Sequence, residues 1–128
     1  MKQIFGLCRS YLFLAALMVV VLLSGTSVRA EQFSSVIEDL PLMQGMYERL
    51  DESMIFDKPS GRFVELIAAA PSLKRADVLK FYGDALPALG WTKKTLQEYV
   101  LEGETIKINT QQLDSVLYVT FTLTPGKK

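Results

Sequence analysis

Glu102 and Glu104 flank Gly103, a spacing at which two carboxylates can share a proton or hold a cation. A solvated hairpin tip explains the same three residues, because polar turns containing glycine commonly link adjacent strands. Glu38-Asp39 and Asp51-Glu52 are also paired, but neither has the ligand spacing of an EF-hand loop. Asp57-Lys58-Pro59-Ser60-Gly61-Arg62 is charged and tightly turned, and could present a binding tip. Ordinary turn chemistry accounts for it as well: proline presets φ, glycine supplies positive φ and aspartate bonds its own backbone. The segment lacks the glycine and lysine pattern of a phosphate loop. Met43, Met46 and Met54, with Tyr47 and Phe56, form a soft apolar group. Such side chains adapt to varied partners, and they also fill gaps in a core. The candidate partner contacts are Met43, Met46, Tyr47, Asp57 and Arg62. No residue is assigned to catalysis, to a cofactor or to a metal.

The sequence has no histidine, and its single cysteine is Cys8. From Glu31 onward this excludes disulfides, thiolate and imidazole metal sites, and Ser-His or Cys-His nucleophiles. It also excludes imidazole pH switching. The chain carries 14 basic and 14 acidic residues, and three of the basic ones, Lys2, Arg9 and Arg29, precede Glu31. No basic patch marks a nucleic-acid partner. Lys127-Lys128 is too short for a polybasic membrane tether. These exclusions point to a non-enzymatic domain that binds another protein or a ligand. A small hydrolase working with carboxylates alone is the alternative.

Where those groups work depends on the first thirty residues. Lys2 and Arg9 precede an unbroken apolar run from Tyr11 to Leu23, and Val28-Arg29-Ala30 offers a small-residue cleavage site. This is the pattern of a secretory signal peptide over residues 1–30. A spanning helix needs about 20 apolar residues, and the run is shorter than that. The expected location is the periplasm or the medium, with an uncleaved inner-membrane anchor as the alternative. Leu23-Ser24-Gly25-Thr26 has threonine where a lipoprotein box needs cysteine, so lipidation is not expected. Once the signal is removed, no membrane contact is expected.

The elements that must position the remaining residues follow from periodicity. Residues 31–52 read as an irregular arm with one helical turn near 43–50, since Pro41 and Gly45 interrupt any longer helix. Residues 53–124 read as an α+β domain, and residues 125–128 as a tail. Ser53 to Phe56 and Arg62 to Ala70 read as a β-hairpin around the Asp57–Gly61 turn. Leu73 to Leu89 reads as the main helix, with Ser72 as N-cap and Gly90 as the left-handed C-terminal residue. Its apolar arc is Val78, Leu79, Tyr82, Ala85, Leu86 and Leu89. Thr95 to Leu101, Thr105 to Thr110 and Ser115 to Leu123 read as three further strands. The expected fold is two-layered, with one main helix packed on an antiparallel sheet in the order β-β-α-β-β-β. Tyr82, Leu86, Leu89, Trp91, Val119 and Phe121 are the expected core between helix and sheet.

Phe56-Asp57-Lys58-Pro59, Gly61-Arg62, Phe81-Tyr82 and Leu86-Pro87-Ala88-Leu89-Gly90-Trp91 together carry a resemblance. They are similar to small uncharacterised secreted proteins and lipoproteins of Gram-negative bacterial envelopes. In those, a strand hairpin is followed by a helix carrying FY, then LPxLGW, then a β-meander. The resemblance covers most of residues 38–124. It implies the same α+β fold and a partner in the envelope, and it supplies no catalytic residue. The junction of helix, Gly-Trp and strand also resembles, in topology alone, domains of the C lipoprotein of the outer-membrane β-barrel assembly machinery.

Overall fold

Alternating apolar residues build the sheet, and pairing on both sides carries strands through residues that would end them in isolation. The computed structural model describes residues 32–126. The signal peptide read at residues 1–30 and the Lys127-Lys128 end of the tail lie outside the described residues. The elements are β1 (Gln32–Phe33), β2 (Pro41–Leu42), β3 (Tyr47–Glu48), β4 (Met54–Lys58), β5 (Gly61–Ala70), α1 (Arg75–Ala88), β6 (Thr92–Thr95), β7 (Glu98–Leu101), β8 (Glu104–Leu113) and β9 (Val116–Thr124). β1 and β2 pair with each other. The other strands form one seven-stranded sheet in the order β3-β5-β9-β8-β7-β6, with β4 also paired to β5. Every pairing is antiparallel. The class is α+β, with a single helix among the described residues packed on the sheet.

The core lies on one sheet face. Val64, Leu66, Ala68 and Ala70 of β5, and Leu117, Val119, Phe121 and Leu123 of β9, are all buried. Register places Leu66 beside Phe121 and Phe121 beside Ile108, and carries the same face on to Ile106 and Tyr99. Over this face α1 lays Val78, Tyr82 and Leu86, each fully buried. Tyr82 meets Phe121 edge-on, with ring centroids 5.0 Å apart. Three consecutive alanines disfavour a strand on propensity alone. β5 still runs to Ala70, because Ala69 and Ala68 pair with Tyr47 and Glu48 on one side and with Tyr118 and Val119 on the other.

The structure corrects several expectations. The segment 31–52 is not an arm outside the domain. Ile37, Leu40, Leu42 and Met46 are core residues, each contributing about 1.5–3 kcal/mol by burial. No helical turn forms at 43–50; β3 lies there and pairs with β5. The Tyr82 hydroxyl donates a 2.8 Å hydrogen bond to the Pro41 carbonyl and reaches Met46 Sδ at 3.6 Å. One helical side chain thereby ties this segment to the body.

Helix α1 begins later than its apolar pattern suggests. Lys74, not Ser72, is the N-cap, and it makes no side-chain capping bond. The Leu73 N–H donates to the Ala70 carbonyl in a turn, and Leu73 packs on the core before the helix starts. At the other end Trp91 N–H donates to Leu86 O at 3.0 Å and Gly90 N–H to Pro87 O at 3.1 Å. This is a Schellman cap, and it needs the positive φ of 100° that Gly90 supplies. Leu89 is the C-cap and is 44 % exposed, so it does not belong to the core. The segment Thr95–Leu101 is not one strand: Leu96-Gln97 is a turn between β6 and β7. β8 also runs on through the polar residues Gln111 and Gln112 to Leu113.

Candidate functional site

Helix α1 covers one face of the sheet and leaves the other to side chains of the opposite alternation. Register places Tyr47, Ala69, Tyr118 and Gln111 in one row of this open face. Ile67, Thr120 and Asn109 form the next row. Met54, Glu65, Thr122, Lys107 and Glu98 form a third. Phe56 stands opposite Phe63, with ring centroids 6.2 Å apart. The face is thus divided. Its β3-β4-β5 half is aromatic and apolar apart from Glu65, while its β8-β9 half carries threonine, asparagine, glutamine and lysine beside Tyr118.

The apolar half is open to solvent. Tyr47 is 64 % exposed, Met54 46 % and Phe56 49 %, whereas Ile55, also exposed, pairs with Val64 and so lies on the helix side of the sheet. All five residues of β4 are exposed, and β4 pairs only with β5. Its outer edge therefore combines free backbone hydrogen-bonding groups with large apolar side chains. Soluble proteins commonly blunt such an edge with charge. The opposite edge, β6, does so: its sequence is Thr-Lys-Lys-Thr and all of it is exposed. Arg49 borders the apolar half. Its Nη2 lies 2.8 Å from Glu52 and its Nε 3.6 Å from Asp51. Glu52 first, then Asp51, raise the guanidinium above its ordinary value, and Tyr118 adds a smaller push.

The expected contact residues do not form one site. Met46 is 3 % exposed, which corrects its place among contact residues: it packs in the core beside the Tyr82 hydroxyl. Met43 is half-buried against that core. Asp57 and Arg62 are register partners at the β4-β5 hairpin, whereas Tyr47 pairs with Ala69 at the far end of β5. Seven residues of strand separate Arg62 from Ala69, roughly 23 Å. Of the soft apolar group, Tyr47, Met54 and Phe56 remain on the surface. Phe63 is the contributor that the contact set omits. Its signal was present in the alternation of β5, but Phe63 and Ile67 face one way and Val64 and Leu66 the other, and both sets are apolar.

Glu102 and Glu104 do sit at a hairpin tip, with Glu102 at φ 48° and Gly103 at φ 83°. That tip lines an open hollow of about 260 Å³ with Ser60, Gly61, Pro125 and Gly126. A Cβ on Gly61 would meet the Pro125 side chain at 2.6 Å, so the tail closes tightly over the β4-β5 turn. The hollow holds two carboxylates and a serine, and Ser60 makes no hydrogen bond to either acid. Among the described residues no three acidic, histidine or cysteine side chains gather to hold a metal ion.

A second depression lies between α1 and the β6-β7 hairpin. Ala76, Leu79, Lys80, Gly83, Asp84, Lys93 and Leu96 line a groove of about 460 Å³. Beneath it Tyr99 is fully buried, and its hydroxyl has no hydrogen-bond partner. Burial, and then the nearby Asp84 carboxylate, push that hydroxyl above its ordinary value. The Trp91 indole N–H is likewise buried and unpaired.

Among the described residues no helix is long and apolar enough to cross a membrane. No family model, no curated protein and no solved structure matches this chain.

Proposed function

We propose that this is a non-enzymatic binding domain of the bacterial envelope, engaging another envelope protein through the apolar half of its open sheet face. The observation that carries the reading is the edge strand β4, where Met54 and Phe56 stand on the open face, each about half exposed. An apolar patch joined to an unpaired strand edge suits strand addition, in which backbone bonds supply affinity and alternate side chains supply selectivity. A periplasmic location belongs to the same proposal and rests on the signal-like residues 1–30.

The test places a photo-crosslinking amino acid at Phe56 and, as a control, at Lys107 on the polar half. The reading expects one discrete adduct in the envelope fraction from position 56 and none from 107. The adduct should disappear when Tyr47→Glu is added. Equal labelling from both positions would overturn it.

A carboxylate-dependent hydrolase is a second reading, favoured only by the hollow that holds Glu102 and Glu104. It expects turnover by the purified chain that Glu102→Gln or Glu104→Gln abolishes without change in melting temperature.

A further inference from the structure

Glycine inside a helix costs about 1 kcal/mol relative to alanine, so its presence at Gly83, mid-way along α1, asks for a reason. The surroundings supply one. A Cβ at that position would lie 3.5 Å from Lys93 Nζ and 3.7 Å from the Tyr99 hydroxyl. Alanine would fit, but a larger side chain would fill the groove above the buried phenol. Gly83 is therefore a window, and the flexible Lys93 side chain lies over the same point.

Register explains why these groups converge. Lys93 and Tyr99 are direct partners across β6 and β7, so both side chains rise on the helix-facing side. Lys80 and Asp84 flank Gly83 on the helix, with Leu79 and Ala76 beyond them, and Leu96 of the β6-β7 turn, 62 % exposed, forms the far wall. No ion pair joins Lys80, Lys93 or Asp84; the ion pairs among the described residues are those of Arg49. Two unpaired ammonium groups against one carboxylate leave the groove one positive charge in excess. Its walls are aliphatic. Its floor holds a phenol hydroxyl with no partner, and such groups are seldom left unsatisfied in a buried position.

We propose that this groove binds a small amphipathic carboxylate. Lys80 and Lys93 meet the head group, Leu79 and Leu96 meet the apolar body, and Lys93 swings aside to let the Tyr99 hydroxyl donate to the head group. The site lies on the helix side of the sheet and does not depend on the partner reading given to the open face.

Decanoate is the probe, and decanol and decyltrimethylammonium are the controls, titrated into the purified protein and followed by calorimetry and by backbone amide NMR. Decanoate is expected to shift the amides of Gly83, Leu96 and Tyr99. Decanol is expected to bind about tenfold more weakly or worse, the usual loss when a charge-assisted hydrogen bond is removed. Lys93→Met should weaken decanoate by a similar factor, and Gly83→Leu should abolish binding while the far-UV spectrum stays native. Asp84→Asn should leave binding unchanged or tighten it, because it removes a like charge. Equal binding of decanoate and decanol, indifference to Lys93→Met, preference for the cationic amphiphile, or shifts confined to other residues would each overturn the proposal. Phe56→Glu should change none of these results, so failure here is distinguishable from failure of the open-face reading.

Discussion

Tyr82 joins three parts of the molecule through one side chain. Its ring packs against Phe81 and Phe121, and its hydroxyl donates to the Pro41 carbonyl. Tyr82→Phe keeps the ring and strands that carbonyl. It should cost about 1–3 kcal/mol, the penalty for an unsatisfied buried polar group, read as a lower urea midpoint. Burial also pushes the Tyr82 hydroxyl far above its ordinary value, opposed in part by a backbone hydrogen bond at Met43. The neutral phenol is thus favoured in the folded state. Stability is fully present below the ordinary tyrosine value of about 10 and falls as pH rises beyond it, because the unfolded chain then loses the proton first. Alkaline titration by circular dichroism should show this decline, and Tyr82→Phe should flatten it. Gly83 makes the opposite case. Its two nearest side-chain neighbours would sit in ordinary contact with a Cβ. Gly83→Ala should therefore stabilise the helix by about 1 kcal/mol, seen as a higher melting temperature.

At the scale of elements, the segment 32–48 behaves as part of the core. Replacing Met43 and Met46 together with polar residues should unfold the domain or lower its melting temperature sharply, since polar atoms would be buried without partners. Phe121→Ala and Trp91→Ala should each cost about 3–5 kcal/mol, the usual range for a large buried aromatic, and chemical denaturation measures both. Legibility in the sequence followed how much each element depends on its own residues. β9 was readable because Leu117, Val119, Phe121 and Leu123 alternate against smaller or polar neighbours. The Schellman end of α1 was readable because Gly90 follows the last helical turn. β6 was not, because Thr-Lys-Lys-Thr has no apolar face to show a period and is held by its pairing with β7. The Leu96-Gln97 turn lacks glycine, proline and asparagine, so its chemistry gave no sign. β1, β2 and β3 are two residues each, too short for any period, and exist through tertiary contact. The open face was half legible. Tyr47, Met54 and Phe56 stood out, but which face of β5 the helix would take was not written in a strand apolar on both sides.

For the whole molecule, the described residues 32–126 form one unit, and cleavage between Ala30 and Glu31 remains an expectation that a direct measurement decides. Intact mass of the protein from the envelope fraction should correspond to a chain starting at Glu31; a species retaining residues 1–30 in the membrane would move the protein to the anchored alternative. The placement of β9 has a further effect, on the time order of folding. The last of the described strands to be synthesised occupies the centre of the sheet, bonded to β5 on one side and β8 on the other. Until it emerges, the β3-β4-β5 part and the β6-β7-β8 part have no shared hydrogen bonds and cannot close a core. Contacts so distant in sequence make for slow, late folding. A nascent chain of this topology stays pliable until β9 has been made, and under the periplasmic location proposed above that delay would favour threading through a translocation pore before folding. An arrest-peptide force measurement should show no folding signal until Thr124 clears the exit tunnel, and a chain stopped at Ser115 should remain protease-sensitive throughout.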